Sequence, residues 1–421
     1  MRRLMFLTQT HTVWGGMEWW VHHLAQRMLD RSWEVYAGLA RGARFSDPTA
    51  YAAAHPHLRP VIMDARVGTE WARVRAVVRA LRQVRPDVVI PVGIGATFEA
   101  IRAVDSVFIV PVLSLHEGWL SNVIESQDVI DLTVPNSRLL QTLLTRLDVQ
   151  RLRYIRQGTP RATTIRSPRT QRLRAGIVSR LEEGSKRVLD LVGVADRIGL
   201  EIELHVFGDG PDRAVLEAQL RGRATFHGYM PTEQLYREAY PNLDVLLFFS
   251  PAEGSPNGVY EAMQNGLVPV SSRFAGWEFE KILQDGQNAL LFDVGDVDAA
   301  ARHLRLLAES RETLDRMSNA ARRCIMSYTD EDMYDAWIDA IESTPRGMPR
   351  GGLRTIPKAG RLERSGIPAA AADTVRRLIG ARFPHGSGWE EWPGSQSANP
   401  ATMARVAREL AAIEGQSNDE R

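Results

Sequence analysis

Short apolar runs alternate with helix-patterned segments along most of this chain, and they do so twice in succession. Strand-like runs at residues 3–8, 34–39, 61–63, 87–91, 108–115 and 132–135 are separated by helical stretches such as 17–29, 71–84 and 137–147. The same grammar restarts at 174–178 and continues at 203–207, 225–227, 244–249, 268–271 and 290–292. Strands that alternate with helices are joined by crossovers, so each set predicts a parallel sheet with helices on both faces. Two such sets in 421 residues exceed one core and predict an α/β chain with two Rossmann-like domains.

The junctions differ in composition. A polar stretch at 157–170, rich in arginine and threonine, predicts the linker between a first domain over 1–160 and a second over 161–329. Residues 330–342 carry one more helical pattern. The run Thr344-Pro-Arg-Gly-Met-Pro-Arg-Gly-Gly352 predicts an unstructured connector into a partly disordered extension over 343–421, with short helical patterns at 373–379 and 402–413. Trp389 and Trp392 are too large and too poorly patterned for a free linker, and are expected to dock on the core or on a partner chain. Charge is balanced, 52 lysines and arginines against 51 acids, so nothing global points to a nucleic-acid partner. Cys324 is the single cysteine, which excludes an intrachain disulfide and fits a reducing compartment. Met1-Arg2-Arg3 precedes an apolar run far too short for a signal peptide or a membrane span, so a cytoplasmic location is expected.

Two acids dominate the search for chemistry. In Pro251-Ala-Glu-Gly-Ser-Pro-Asn-Gly-Val-Tyr-Glu-Ala-Met263, Glu253 sits on a glycine-rich turn and Glu261 on an apolar helical pattern. The run follows the buried strand pattern 244–249, so both acids are placed beyond a strand's carboxyl end, where open α/β sheets bind ligands. Acids at such a crevice suit hydroxyl-rich substrates.

This run resembles the E-x7-E signature of retaining glycosyltransferases of family 4, with the wording E-G-x-P-N-x-x-x-E-A-M that many members share. The resemblance covers residues 3–342 and implies the GT-B architecture, two Rossmann-like domains facing across a cleft, with 330–342 crossing back to the first. It places Glu253 at the transferred sugar and Glu261 on the ribose of the nucleotide. Ser179-Arg-Leu-Glu-Glu-Gly-Ser-Lys186 resembles the family segment whose arginine and lysine grip the diphosphate, which assigns that task to Arg180 and Lys186. Gly15-Gly16-Met17-Glu18 resembles the G-G-x-E loop, where Gly16 would lie against the diphosphate and the loop borders the acceptor. Gly208 and Asp209, with Tyr229 and Met230, occupy the loops that resemble the nucleotide-side turns. Pro256 removes one backbone donor after Glu253 and leaves the amides of Gly254, Ser255, Asn257 and Gly258 for the donor sugar and phosphate.

Each residue also has a plainer reading. Arg180 and Lys186 could be solvated loop cations. Trp14, Glu18 and Trp19 are the acceptor-side candidates; adjacent Trp19 and Trp20 point about 100° apart on a helix and cannot both face the same core, so one is free to line an acceptor cleft, while packing beneath the sheet is the plainer reading of each indole. His116 resembles the family histidine at the reaction centre, and a structural role is equally open to it. Asp296-Val-Asp298 precedes an alanine-rich helix and reads as a cap, not a metal site; no metal and no cofactor are expected. The helix 71–84 is basic and amphipathic, which would suit a peripheral membrane contact, yet its junction into the next strand is the ordinary one for a scaffold helix. Gln157-Gly-Thr159 departs from the Asn-Gly common in relatives.

The resulting expectation is a cytoplasmic enzyme, with the inner membrane face as a place of work, moving a sugar from a nucleotide diphosphate sugar to a glycan or lipid-linked acceptor with retention, in cell-surface polysaccharide or glycolipid synthesis. The alternatives are a nucleotide-sugar epimerase of the same fold, or a noncatalytic binding or scaffold protein.

Overall fold

In the computed structural model, residues 1–42, 47–67, 69–163, 172–345, 347, 351–354, 361–380, 392 and 398–419 are described. The first set of apolar runs forms β1 (Arg3–Thr8), β2 (Glu34–Arg41), β3 (Arg59–Asp64), β4 (Val88–Val92), β5 (Val107–Val112) and β6 (Leu132–Pro135). The second forms β7 (Leu173–Val178), β8 (Ile202–Phe207), β9 (Ala224–Gly228), β10 (Val245–Phe248), β11 (Val268–Ser272) and β12 (Leu290–Phe292). Every pairing is parallel, and the strand orders are β3-β2-β1-β4-β5-β6 and β12-β11-β10-β7-β8-β9. Read from its own first strand, each sheet has the same doubly wound order, which reverses between β1 and β4 in one and between β7 and β10 in the other. The runs are continuous because central parallel strands are covered on both faces: Leu4, Met5, Phe6 and Leu7 are all buried, as are Val245, Leu246 and Leu247.

The described residues divide into two compact units. One comprises 1–136, 140–155 and 334–421, the other 137–139 and 156–333. The helix Asp330–Ser343 begins in the second unit and from Tyr334 onward belongs to the first. There Trp337 packs on Trp20 at 4.8 Å and Arg27 lies over the Tyr334 ring at 4.6 Å.

Two expectations change. The strip 157–159 is not open linker: Thr159 forms a parallel bridge with Thr329, donating its N–H to Tyr328 O at 3.0 Å and accepting from Asp330 N at 3.1 Å. Backbone pairing of a polar segment leaves no hydrophobic period to read. Residues 164–170 of the expected linker lie outside the described residues. The expected separate extension is, where described, part of the first unit. Its helix Pro400–Asp419 is capped by Asn399, whose side chain accepts from Ala401 N at 3.0 Å, and it packs on the helix Glu117–Glu125 with Val406 and Ile413 buried.

Its helix Ala369–Leu378 packs on Glu70–Val84, where Arg75 pairs with Asp373 at 3.0 Å. Arg73 on the same helix is buried, 6.0 Å from the ring of Trp392. The helix that reads as basic and amphipathic is therefore scaffold over much of its surface. Trp392 docks, as expected; Trp389 lies outside the described residues. No described helix is long and apolar enough to cross a membrane.

Candidate functional site

In the second unit the carboxyl ends of β7, β8 and β10 converge at the reversal of strand order. Arg180 and Lys186 follow β7, Gly208 and Asp209 follow β8, and Glu253 follows β10. Lys186 Nζ donates to Glu253 Oε1 at 2.5 Å, both side chains retaining some exposure. Two residues 67 apart in sequence thus meet only because their strands are neighbours. Glu253 is held in turn by backbone: its N–H donates to Ala275 O at 3.3 Å, and Ala275 N donates to Pro251 O at 2.9 Å. Arg180 stays half-exposed, its Nε 3.8 Å from Glu182.

The turn after β8 is fixed by glycine. Gly208 has φ +134°, and a Cβ there would meet Ser179 O at 1.9 Å, so no other residue fits without moving the β7 loop. Gly208 N donates to Gly228 O at 2.8 Å and Leu181 N to Asp209 O at 2.9 Å, tying the β7, β8 and β9 loops together. Asp212, which sequence reasoning passed over, accepts from Glu183 N at 2.7 Å and fixes the turn that carries Lys186. Asp209 is exposed at the turn, Tyr229 is 52% exposed beyond β9, and Met230 packs partly on the core.

Glu261 lies on the helix Asn257–Gln264. Its carboxyl is raised to about 7 by burial, against the lowering effect of a hydrogen bond from Tyr240 Oη at 2.7 Å. At the start of that helix Gly254, Ser255 and Gly258 are partly open, and Asn257 Oδ1 is buried with no protein donor. Such an orphan acceptor is a group that a ligand can satisfy.

The first unit has a different crevice at its own reversal. Gln9 bridges the ends of β1 and β4 through a bond to Gly93 O at 3.0 Å, and Thr10 Oγ1 donates to Ala40 O at 2.9 Å. The chain then runs through Trp14, Gly15 and exposed Gly16 into the helix Gly16–Asp30. Glu18 folds back so closely that a Cβ on Gly15 would meet its Oε2 at 2.8 Å. Burial pushes the Glu18 carboxyl up to about 7.

A histidine cluster braces this loop, and sequence reasoning missed it. His55 Nε2 donates to Val13 O at 2.9 Å, which leaves Nδ1 of the neutral ring as an acceptor for His22 Nδ1–H at 3.0 Å. His57 Nε2 donates to His22 O at 3.2 Å. Burial holds all three below the usual histidine range, His22 at about 4, so the rings are neutral near pH 7. Trp14 lies 4.4 Å from the His55 ring, and Trp19 4.1 Å from His23. Both indoles are half-buried, whereas Trp20 is core against Phe6 and Trp337.

His116 caps the helix Glu117–Glu125, Nδ1 accepting from Trp119 N at 3.2 Å. That bond leaves Nε2 as the protonated nitrogen of a neutral ring, on an exposed residue. Asp296 caps Val297–Glu309 by accepting from Ala299 N at 2.8 Å, and Asp298 pairs with Arg197 at 2.5 Å.

Residues 172–310 match the family described as glycosyl transferases group 1. The chain is similar to the sulfoquinovosyl transferase SQD2 of Arabidopsis thaliana, 34% identical over 144 residues, covering 33% of this chain and 28% of that protein. It is likewise similar to a lipopolysaccharide 1,6-galactosyltransferase of Salmonella typhimurium, 33% identical over 134 residues, covering 30% of this chain and 37% of that one. The chain thus spans well under half the length of these curated relatives. Among solved structures it is similar to the apo form of the lipopolysaccharide outer core galactosyltransferase WaaB, with TM-score 0.64 and 20% identity over 82% of this chain and 100% of that one. It is also similar to Anabaena HepE in complex with UDP-glucose, with TM-score 0.67 and 15% identity over 82% and 100%. These likenesses show the fold: two parallel-sheet Rossmann-like units in the GT-B class.

Proposed function

We propose that this chain is a retaining glycosyltransferase that takes a sugar from a nucleotide diphosphate sugar and passes it to an acceptor hydroxyl in glycolipid or cell-surface polysaccharide synthesis. The observation that carries the reading is the Lys186–Glu253 pair at 2.5 Å on the reversal of the second sheet, with Arg180 beside it on the β7 loop. As the bond to the sugar breaks, the anomeric centre gains oxocarbenium character and the diphosphate gains charge. Arg180 and Lys186 stabilise that charge, each more in the transition state than before it. Glu253 orients the sugar, and Glu261 takes the ribose. The backbone amides of Gly254, Ser255 and Gly258 bind donor oxygens, whereas the Asn257 N–H, expected among them, donates to Ser255 O at 3.0 Å and leaves that set.

In the first unit the Gly15-Gly16 turn, Trp14, Glu18 and Trp19 form the acceptor side, with His116 offering an N–H to the sugar. The departing diphosphate accepts the acceptor's proton, which gives front-face displacement and retention without a metal ion. The work is placed in the cytoplasm, where a lipid-linked acceptor would bring the enzyme to the inner membrane face. The likeness of residues 172–310 to group 1 glycosyl transferases and the UDP-glucose complex of HepE support a nucleotide-sugar donor.

The test is incubation with a panel of nucleotide sugars, UDP-glucose and UDP-galactose first, with and without a glycolipid extract and with and without chelator. Acceptor-dependent release of nucleoside diphosphate, insensitive to chelation, and a product with the donor's anomeric configuration by NMR are expected. Inversion, dependence on added manganese, or turnover that yields only an epimerised donor would overturn the reading.

A further inference from the structure

We propose that Tyr240 is a positioning residue for donor binding, its phenol holding one oxygen of Glu261 so that the other is presented to the ribose hydroxyls of a nucleoside diphosphate. The inference rests on the donor reading of Glu261 given above. Tyr240 Oη donates to Glu261 Oε2 at 2.7 Å, and the Tyr240 side chain is fully buried. A carboxylate with four acceptor sites and one protein donor on Oε2 keeps Oε1 for a ligand.

The backbone is built irregularly to bring the phenol there. Leu235–Ala239 winds as a π turn and Tyr240–Asn242 as a tight 3-10 turn around Pro241. Departures of this kind from the α-helix re-aim side chains and concentrate at functional sites. The turn is pinned by Asn242 Nδ2 to Glu238 O at 2.8 Å and Leu243 N to Tyr240 O at 3.1 Å. Tyr236 packs edge-on against Tyr240, with centroids 5.5 Å apart and planes at 88°. Asn265 Nδ2 donates to Glu261 O at 2.8 Å, which anchors the helix from its other end.

The titratable groups around the carboxyl are Tyr240 and Tyr236, whose phenols are both raised by burial and by the Glu261 charge, with Asp330 acting on Tyr236 from the start of the helix Asp330–Ser343. Burial raises Glu261 and the Tyr240 bond lowers it, so removing the phenol leaves the carboxyl less ionised near pH 7.

Calorimetric titration of UDP between about pH 6 and pH 9 tests this on the full chain, wild type against Tyr240→Phe and Glu261→Gln. Wild-type affinity is expected to fall as pH drops through 7. Tyr240→Phe keeps the ring and should lose about 5- to 30-fold at pH 7, recovering toward wild type near pH 9, while Glu261→Gln should be weak at every pH. A Tyr240→Phe protein that binds UDP like wild type, or one whose loss is the same at all pH values, overturns the positioning role while Glu261→Gln remains weak. A Glu261→Gln protein that binds UDP normally, or wild-type affinity flat across pH, overturns the ribose assignment and this inference with it.

Discussion

The two sheets share one strand order and one kind of crevice, yet they fill it with opposite chemistry. In the second unit the reversal point carries Arg180, Lys186 and Glu253, charges with part of their surface in water. In the first unit the equivalent place carries neutral histidines, half-buried indoles and a glutamate raised to about 7. The topology decides where a ligand can sit, and the side chains decide which. A polyanionic diphosphate matches the first kind of crevice. A carbohydrate with apolar faces and hydroxyl edges matches the second.

The sharpest way to break this contrast is at its charged end. Glu253→Gln and Lys186→Ala should each lower turnover by roughly 10²- to 10³-fold, since each removes a charge aligned with the reacting centre. Lys186→Ala should also weaken UDP more than uridine. Steady-state kinetics with matched titrations of UDP and uridine make the check. Equal losses for the two ligands would mean that Lys186 serves the fold and not the phosphate.

At the neutral end the same logic runs through pH. Glu18 is buried and its folded value, about 7, stands above the ordinary 4.5. A raised acid contributes stability that is fully present below 4.5 and lost as pH rises through about 7, because the native state must then bury the charge. Glu18→Gln removes that loss, on the order of 3 kcal/mol when complete. His22, lowered to about 4, has the opposite sign: its contribution is present above 6.5 and lost as pH falls through 4.

Tryptophan fluorescence reads the first unit selectively, since Trp277 is the one described tryptophan of the second. Melts followed this way should therefore show wild type and Glu18→Gln converging toward pH 4.5, separating as pH rises from there and holding the full gap above about 7, the variant being the more stable. Parallel curves across that range would show that Glu18 is not the buried acid described here.

How much of this contrast could be read beforehand depends on whether the determinants are local. The strands were legible because buried parallel strands are continuous apolar runs, and their ends moved by only a few residues; the run expected to reach Leu115 stops at Val112. The places of Glu253, Glu261, Arg180 and Lys186 were legible because they sit in contiguous motifs whose positions in the sheet follow from chain order.

Tyr240 was not, since nothing local to 235–242 shows that a π turn aims a phenol at residue 261. Nor was the His22–His55 bond, 33 residues apart, which depends on how two helices and a loop pack. His116 could be placed at a helix start only once the preceding strand was known to end early. The extension read as an appendage because its short amphipathic helices show their partners only in three dimensions.

The smallest expected effect concerns that extension and asks whether it belongs to the first unit alone. Arg75 and Asp373 lie 3.0 Å apart, the guanidinium 28% and the carboxylate 6% exposed, and Arg376 approaches the same carboxylate at 3.3 Å. A partly exposed pair of this kind contributes about 1 kcal/mol, because the Coulomb gain is offset by screening and by ordering a long side chain. Arg75→Ala should accordingly lower the stability of the first unit by about that much, read by tryptophan fluorescence, and speed proteolysis within residues 361–380. Asp373→Asn should cost more, since it takes the charge from a carboxylate that two arginines share. Neither substitution should change UDP affinity, because the pair and the donor loops lie in different units. A loss of UDP binding in Arg75→Ala would show that the extension acts on the donor site, and the division of labour between the two crevices would then have to be redrawn.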